Sequence, residues 1–412
     1  IGVCFIIWFS SKDEMITKIL STKLFVGTGL ISYSLYLWHY PIFAFGRILG
    51  LFLKFEYFIY LSILIAILIS IFSYFFIEKK FRNKKFQFKK ILEIISALYL
   101  LVIIFSFIVI LSNGFKNRFP QFLNNIDTEG HIFYSLKNEN GEYCLDYFYC
   151  SSNNKSDKKV FLLGDSHMAA ISYDLNKKLI KKNYQFIPLS IRDCYFFMKF
   201  DQIDNRTNKK IQRCSSTEIE KRYNLIKENP NSIVIIGGML SYQLSGVSYK
   251  NFLENKLGNN KISFYYKSSY SDDIKESFRK NILNLSKENQ IILIYPYPEI
   301  SFDITKKIQQ AFFLENEKID DLLNRNIYYE PFKNYLDRSK EAFNLLDSIN
   351  NKNIYKVYPH LLVCQNIVKD VCVTHNKTDI FYSDIQHPSS KASEMINNLI
   401  MKEIEKIELK SN

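Results

Sequence analysis

Two hydrophobic patterns divide this chain. Long apolar stretches occupy its first part, over Leu24–Gly46, Tyr57–Ile77 and Ile91–Leu111. Each has about the ~20 residues that a membrane-spanning helix needs, whereas the apolar run Ile1–Phe9 is too short unless further residues precede it. Buried helices of a large soluble domain are the alternative. Three such stretches in a row, joined by short links, favour the membrane.

From residue 159 onward, short apolar runs alternate with helical patterns. Five runs have the length and composition of buried strands: Val160–Leu163, Phe186–Leu189, Ile233–Ile236, Ile291–Tyr295 and Ile354–Tyr358. Helical patterns follow these runs, over Met168–Leu179, Thr217–Glu228, Asp273–Lys287, Pro331–Ile349 and Ser389–Ile407. This alternation predicts a parallel sheet that helices cover on both faces.

Charge indicates the orientation of the membrane part. The chain has 54 Lys and Arg against 41 Asp and Glu, a net charge of +13. Seven basic residues and one acidic residue fall between Glu78 and Lys90, which the positive-inside rule places in the cytoplasm. The stretch Ile91–Leu111 then crosses outward, and everything after Asn113 is predicted to be extracytoplasmic. Since the other basic residues are spread out or flank apolar segments, we predict a lipid bilayer and no nucleic acid as partner.

Six of the seven cysteines follow Asn113, on the side predicted to be oxidising. An even number there favours disulfides, and six cysteines allow fifteen pairings. We predict pairing between neighbours in sequence, which gives three local loops. These pairs are Cys144 with Cys150, Cys194 with Cys214, and Cys364 with Cys372. No Cys-x-x-Cys or paired His accompanies them, so no metal site is predicted, and Cys4 is expected to be unpaired.

A serine follows the first predicted strand. The run Val160–Leu163 stops at Gly164, and Asp165, Ser166 and His167 precede the helical pattern. A tight turn from strand to helix holds a hydroxyl at the carboxyl edge of a sheet, beside free backbone N–H groups and the positive helix end. A serine nucleophile requires this setting. The alternative is that these polar residues only cap the helix.

The partners of this serine are predicted near the far end of the chain. Asp384 precedes His387 by three residues, so both can lie on one short loop. The imidazole can then reach the Ser166 hydroxyl while the carboxylate orients the ring and stabilises its charge. Ser166 follows the first strand and this loop follows the last, so both can reach one sheet edge. The alternative for His387 is a surface histidine before a helix.

The Gly-Asp-Ser block and the distant Asp-x-x-His block together resemble the SGNH/GDSL hydrolase superfamily. The resemblance implies a three-layer α/β/α, flavodoxin-like domain with a parallel sheet, in which Ser166, Asp384 and His387 are catalytic. The Ser166 N–H would serve the oxyanion hole. Such enzymes usually add an Asn after the third strand, where this chain has only Gly237 and Gly238. The Gly238 N–H is our candidate donor, and the alternative is a glycine pair that merely permits a turn.

Three further features belong to this predicted site. The loop Ser190–Cys194, after the second strand, is expected to pass Ser166. Asp165 is expected to accept local N–H bonds and so to hold the turn. His167 is expected to be a turn or lining residue rather than a second base.

Two other blocks lie in the membrane part. Residues 31–42 read ISYSLYLWHYPI, and residues 73–82 read SYFFIEKKFR. They resemble the SYSLYLWHxP stretch and the S-x-x-x-x-E-K-P-x-R end of the membrane acyltransferase-3 family. The resemblance covers about residues 1–82 and implies that the chain is a fragment, which lacks the helices that handle the acyl donor. His39 is then expected to be a structural polar group rather than a base, although an ionisable residue at membrane depth is a functional candidate.

These observations predict four parts. Residues 1–90 form the last helices of an acyltransferase-3 domain, 91–113 an additional span, 114–157 a connecting extension, and 158–412 the SGNH-like catalytic domain. The extension is expected to pack on the catalytic domain, because aromatic residues recur in it. They are Phe133, Tyr134, Tyr143, Tyr147 and Phe148.

The joint resemblance implies an O-acyltransferase, in particular an O-acetyltransferase of cell-envelope polysaccharide or lipopolysaccharide. It would lie in the bacterial inner membrane, multi-pass, with the SGNH domain in the periplasm. No bound cofactor is expected; acetyl-CoA would be the acyl donor for the complete membrane domain, and a glycan the acceptor. A membrane-anchored carbohydrate O-acetyl esterase is the alternative, since water and a sugar hydroxyl compete for one acyl-enzyme. A sensor or glycan-binding module is a third reading, supported by the missing Asn.

Overall fold

The computed structural model describes residues 14–55, 57–82, 88–118, 136–138, 140–142, 144, 150–255, 262–268, 273–314, 328–376 and 378–411. Contacts divide the chain into two units. The N-terminal unit is Ile1–Arg118 with Phe313–Glu315, and the C-terminal unit is Phe119–Phe312 with Asn316–Asn412. The apolar run at 1–9, Cys4 and the five aromatic residues of the predicted extension lie outside the described residues.

The N-terminal unit is helical throughout its described part. Its helices are α1 (Met15–Leu20), α2 (Lys23–Ile48), α3 (Leu51–Lys54), α4 (Phe58–Ser73), α5 (Lys79–Phe81) and α6 (Phe88–Leu111). A π-helical turn, Tyr74–Glu78, joins α4 to α5, and a 3₁₀ segment, Asn113–Arg118, follows α6. The two blocks that resemble acyltransferase-3 meet here, because the Ser34 hydroxyl donates a hydrogen bond to Glu78 Oε1. The ring of His39 bonds within its own helix, with Nδ1 at 3.1 Å from the Leu35 carbonyl oxygen.

Two helices of the described residues, rather than the three predicted, are long and apolar enough to cross a membrane. Phe58–Phe81 has a mean hydropathy of 2.4 and Lys89–Leu111 one of 3.1. The residues Leu24–Gly46 also form a long helix, but it is not one of these two, so its crossing of the membrane stays a prediction. The reason is compositional, since polar residues such as Thr28, Ser32 and His39 interrupt the apolar ones.

The C-terminal unit contains a five-stranded parallel sheet. Its strands in chain order are β1 (Lys159–Gly164), β2 (Gln185–Pro188), β3 (Asp201–Asp204), β4 (Lys209–Lys210), β5 (Ile233–Gly237), β6 (Phe264–Lys267), β7 (Gln290–Ile294), β8 (Tyr329–Pro331), β9 (Ile354–Val357) and β10 (Val371–Val373). The main sheet has the order β2-β1-β5-β7-β9, with every pair parallel. This is the flavodoxin-like order, which confirms the predicted fold class and all five predicted strands.

Helices cover both faces of this sheet. They are α7 (Ser166–Lys181), α8 (Ser216–Lys227), α9 (Leu240–Ser245), α10 (Tyr249–Asn255), α11 (Ile274–Leu285), α12 (Ile304–Leu314), α13 (Phe332–Asp347) and α14 (Ser390–Ser411). The five predicted helices are α7, α8, α11, α13 and α14. The helices α9 and α10 were not predicted because they are short. The helix α12 was missed although Ile304, Ile308 and Ala311 recur at helical spacing.

Alternation along β1 explains the three layers. Val160 and Leu162 belong to one apolar core, with residues of α7 and α14, whereas Phe161 and Leu163 belong to a second core, with residues of α8, α11 and α13. Successive side chains of a strand point to opposite faces, so a strand buried on both sides must be apolar at every position. The unbroken apolar runs of the sequence therefore form the centre of the domain.

Two small antiparallel sheets and three disulfides complete the unit. One small sheet has the order β4-β3-β6 and the other pairs β8 with β10, and neither was predicted. All three predicted disulfides are present, and they close loops of 6, 20 and 8 residues. They join Cys144 to Cys150, Cys194 to Cys214, and Cys364 to Cys372.

Candidate active site

The turn between β1 and α7 requires glycine. Gly164 has φ +138°, a conformation that residues with side chains rarely adopt. A Cβ atom at this position would lie 2.0 Å from the carbonyl oxygen of Gly237, its partner on β5. The chain can therefore turn sharply at the carboxyl edge of the sheet, and the first residue of α7 is Ser166.

Ser166, His387 and Asp384 form a continuous hydrogen-bonded chain, although 221 residues separate the serine from the histidine. Ser166 Oγ lies 2.8 Å from His387 Nε2, and His387 Nδ1 lies 2.6 Å from Asp384 Oδ2. The carboxylate accepts the Nδ1 proton, so Nε2 carries a lone pair that can accept the proton of the serine hydroxyl. The three predicted site residues are thus brought together, at the sheet edge where they were expected.

Asp384 is held as an anion by donors on its own loop. Its Oδ1 accepts the backbone N–H of Gln386 at 2.8 Å and that of His387 at 2.7 Å. Burial by itself would raise the pKa of Asp384, but the hydrogen bonds from His387 and Gln386 outweigh it and lower the pKa to about 2. The carboxylate can therefore stabilise a positive charge on the His387 ring at neutral pH.

Asp165 joins the turn between β1 and α7 to the turn after β5. Its Oδ1 accepts the His167 N–H at 3.0 Å, as a helix N-cap, and its Oδ2 accepts the Met239 N–H at 2.7 Å. The predicted local N–H bond is confirmed, and the second, distant bond was not predicted. Gly238 also lies against this carboxylate, since a Cβ there would be 2.6 Å from Asp165 Oδ1. Its φ of +126° requires glycine as well.

Burial makes the contribution of Asp165 to stability depend on pH. The side chain is 1% exposed, and burial raises its pKa from 3.8 to about 6, against the N–H bonds from Met239 and His167. Its folded-state pKa therefore exceeds the unfolded one, so its contribution to stability is present at low pH and is lost as pH rises through about 6.

We expect this loss to appear as a difference between wild type and Asp165→Asn. Between about pH 4.5 and about pH 7.5, the free energy of unfolding of wild type should fall by about 2 kcal/mol relative to that of the variant, because the amide of Asn at position 165 does not titrate. Urea unfolding followed by circular dichroism at the two pH values measures both proteins. A difference that is constant, or that changes in the other direction, would contradict the assigned ionisation.

The loop after β2 reaches the turn between β1 and α7, as predicted. The Ile191 N–H donates to the Gly164 carbonyl at 3.0 Å, which continues the pairing of β2 with β1. The disulfide from Cys194 to Cys214 closes the base of this loop. Asp193 within it lines the same cavity as Ser166.

Comparison with known proteins identifies the family of this domain. Residues 135–402 match the family model described as SGNH domain (fused to AT3 domains). The chain belongs to this SGNH domain family. The matched residues do not include 1–82, so the likeness of that part to the acyltransferase-3 family stays a prediction.

Solved structures similar to the SGNH domain include two enzymes. One is the periplasmic domain of a lipopolysaccharide acetyltransferase from Salmonella ser. Paratyphi A, with 17% identity and a TM-score of 0.43, over 69% of this chain and 96% of that one. Another is a GDSL-like lipase from Bacteroides thetaiotaomicron VPI-5482, with 12% identity and a TM-score of 0.31, over 69% of this chain and 99% of that one. Comparison with curated protein sequences finds no match.

A cavity of about 130 Å³ opens beside Ser166 in this SGNH domain. Three carboxylates contribute to its wall, from Asp165, Asp193 and Glu299. The rest of the lining comes from Ser166, Met239, Tyr242, Gln243, Ser248 and Gln386. Sequence reasoning missed Glu299, Tyr242, Gln243, Ser248 and Gln386 as site residues. Gln386 carried a signal, because it lies between Asp384 and His387. Glu299 and Tyr242 carried a weaker one, because each follows a predicted strand at the carboxyl edge of the sheet.

His167 packs against the ring of His387 in the SGNH domain. Its ring centroid is 4.9 Å from that of His387, and neither ring nitrogen has a hydrogen-bond partner among the described residues. Burial and the neighbouring His387 hold the pKa of His167 well below its ordinary value, so the ring is neutral. It contacts the triad as a packing group, in agreement with the expected lining role. The described residues contain no cluster of His, Cys, Asp and Glu that could hold a metal ion.

Proposed function

We propose that this protein is an O-acyltransferase, with acetyl as the transferred group, and that it modifies hydroxyls of cell-envelope polysaccharide or lipopolysaccharide. The reaction runs through an ester on Ser166. The observation that carries the proposal is the hydrogen-bonded chain from Ser166 Oγ through His387 to Asp384, with distances of 2.8 and 2.6 Å. Membership of a family of SGNH domains fused to AT3 domains supports it.

Acylation begins when Ser166 Oγ attacks the carbonyl carbon of the donor. His387 Nε2 takes the hydroxyl proton, and Asp384 Oδ2 stabilises the resulting imidazolium. The negative charge that develops on the carbonyl oxygen is stabilised by the Ser166 N–H at the N-terminus of α7, with the Gly238 N–H as a further candidate. The tetrahedral intermediate then collapses, the bond to the leaving group breaks, and His387 gives its proton to that group.

Transfer follows by the reverse sequence with a sugar hydroxyl. The acceptor oxygen attacks the ester carbon while His387 Nε2 removes its proton, and the Ser166 Oγ–carbon bond breaks. The proton returns from His387 to Ser166 Oγ, which restores the resting enzyme. The cavity of about 130 Å³ is small, so it suits a short acyl group rather than a long chain.

The membrane helices support transfer over simple hydrolysis. An enzyme that only cleaved esters outside the cell would need no multi-helix part to bring an acyl group from a cytoplasmic donor such as acetyl-CoA. The basic residues before α6 and the three disulfides support an orientation with the SGNH domain in the periplasm of a bacterial inner membrane.

The test uses the full chain in membranes, with a bacterial cell-envelope polysaccharide as acceptor. Labelled p-nitrophenyl acetate supplies the acyl group directly, so the test does not depend on the helices predicted to handle a cytoplasmic donor. We expect mass spectrometry to find acetyl on Ser166 and on sugar hydroxyls. Rapid ester hydrolysis without labelled sugar would instead favour the carbohydrate esterase. Absence of acetyl from both Ser166 and the sugar would contradict the proposed enzymatic function and favour a binding module.

A further inference from the structure

The cavity beside Ser166 contains one buried carboxylate with an oxygen that no described residue bonds; of the other two, Asp193 is largely exposed. Both oxygens of Asp165 accept backbone N–H bonds, from His167 and Met239. The Asp193 carboxylate pairs with Arg213 at 2.9 Å. Glu299 is the third carboxylate of the lining.

Glu299 is buried and only half satisfied. It lies on the loop after β7 and is 7% exposed. Its Oε2 accepts a hydrogen bond from Arg338 Nε at 3.0 Å, whereas its Oε1 accepts none from any residue that the structure describes. Because Oε1 is open to the cavity rather than enclosed, it can accept a hydrogen bond from a group bound there.

Arg338 bonds this carboxylate, but its own side chain does not line the cavity. Its side chain is 3% exposed, and its two terminal nitrogens donate to the Ser245 hydroxyl at 3.1 Å and to the Val247 carbonyl at 2.6 Å. The guanidinium thus has three donors bound by the protein, one of them on Glu299. The surface that this ion pair presents to the cavity is the negative one.

The backbone holds Glu299 close to the triad. The N–H of Ile300 donates to the carbonyl of Ile385 at 2.9 Å, so the loop after β7 is bonded directly to the loop that carries Asp384 and His387. Gln386, on that second loop, lines the cavity together with Glu299. An acceptor bound at the Ser166 ester would therefore meet the Glu299 carboxylate.

We propose that Glu299 determines which acceptor is used: its Oε1 accepts a hydrogen bond from a second hydroxyl of an uncharged sugar, and its charge excludes acceptors that carry an anionic group beside the acylated hydroxyl. This inference rests on the proposed acyl transfer and adds the class of acceptor to it. An uncompensated unit charge at about 6 Å, at an effective dielectric constant of about 20, changes binding about a hundred-fold, and the neighbouring charge of Arg338 offsets part of this effect. The expected discrimination is therefore at least about tenfold.

The test compares glycerol with glycerate as acceptors of acetyl from the Ser166 ester, with p-nitrophenyl acetate as donor and the full chain in membranes. The two probes share a vicinal diol and differ by one carboxylate. We expect wild type to favour glycerol, and Glu299→Gln to lower the ratio of glycerol to glycerate acetylation at least about tenfold. The matched control is Glu330→Gln. Glu330 is a 1% exposed carboxylate bonded to Tyr249 and Ser301, outside the cavity lining, and this variant should keep the wild-type ratio.

A buried pair that loses one charge can prevent folding, so a double variant accompanies the single one. Replacing Glu299 and Arg338 together by Met removes both charges with similar volume. It should lower the ratio by less than Glu299→Gln does, because the lost carboxylate lines the cavity but the opposing charge of Arg338 is lost with it. An unchanged ratio in the variants that fold overturns the inference, as does an equal fall in Glu330→Gln. If wild type acetylates neither Ser166 nor glycerol, the proposed acyl transfer itself is wrong. That outcome differs from an unchanged ratio, which contradicts only the role of Glu299.

Discussion

We expect the Ser166→Ala variant to lose acyl transfer to glycan by about 10⁴-fold or more, because no other described group occupies the position from which an ester could form. The oxygen that it removes is the one that bonds His387 Nε2 at 2.8 Å. Alanine is a strong helix former, and Ser166 is the first residue of α7, so the fold should persist. Labelled acetyl on polysaccharide measures transfer, and mass spectrometry of the peptide that contains residue 166 measures the ester.

The matched control for this variant is Ser172→Ala. Ser172 is a buried serine of the same helix, but its hydroxyl donates to the carbonyl of Ala169, one turn away, at 2.6 Å. Its substitution should leave transfer within a small factor of wild type. Undiminished transfer by Ser166→Ala would mean that the acyl group passes directly from the membrane part to the sugar, and the serine mechanism would be abandoned.

The second large effect is expected for the Asp384→Asn variant, whose rate of acyl transfer should fall by about 10³- to 10⁴-fold. The amide oxygen can still accept the backbone N–H bonds of Gln386 and His387, so the loop should keep its conformation. The amide nitrogen would then face His387 Nδ1 and donate to it. Nε2 would carry the proton in this tautomer and could no longer accept one from Ser166.

Steady-state kinetics with p-nitrophenyl acetate should assign this loss to kcat, since the carboxylate acts through the ring rather than on the substrate. Asp379→Asn is the control. Asp379 lies on the same segment but accepts hydrogen bonds from Asn376 and Thr378 and does not contact the triad. Similar losses in both variants would indicate a disturbed loop rather than a lost orientation of the histidine.

Local pattern was sufficient for the main sheet and for the identity of the triad. Each strand buried on both faces must be apolar at every position, so it is visible as a short continuous run without any knowledge of its neighbours. Ser166 and His387 were predictable for a related reason. In a parallel sheet every strand ends at the same edge, and residues that follow the first and last strands are brought there by topology alone.

The oxyanion hole and the cavity wall were less predictable. Gly238 could be proposed from its place after β5, but its contact with Asp165 depends on the packing of two turns. Glu299 has no sequence motif around it. Its position follows from a backbone bond between two loops and from a buried ion pair with Arg338, which is 39 residues away in the chain.

The sequence by itself indicated the five strands of the main sheet, five of its helices and the pairing of neighbouring cysteines. It also indicated the three residues of the triad, through their places after the first and last strands and through the resemblance to the SGNH/GDSL superfamily. Only the tertiary structure decided the small antiparallel sheets, the second bond of Asp165 and the charge of the cavity beside Ser166. The physical reason is the range of the interactions. Burial patterns are written into each segment, whereas a hydrogen bond or an ion pair between distant loops exists only after the whole domain has packed.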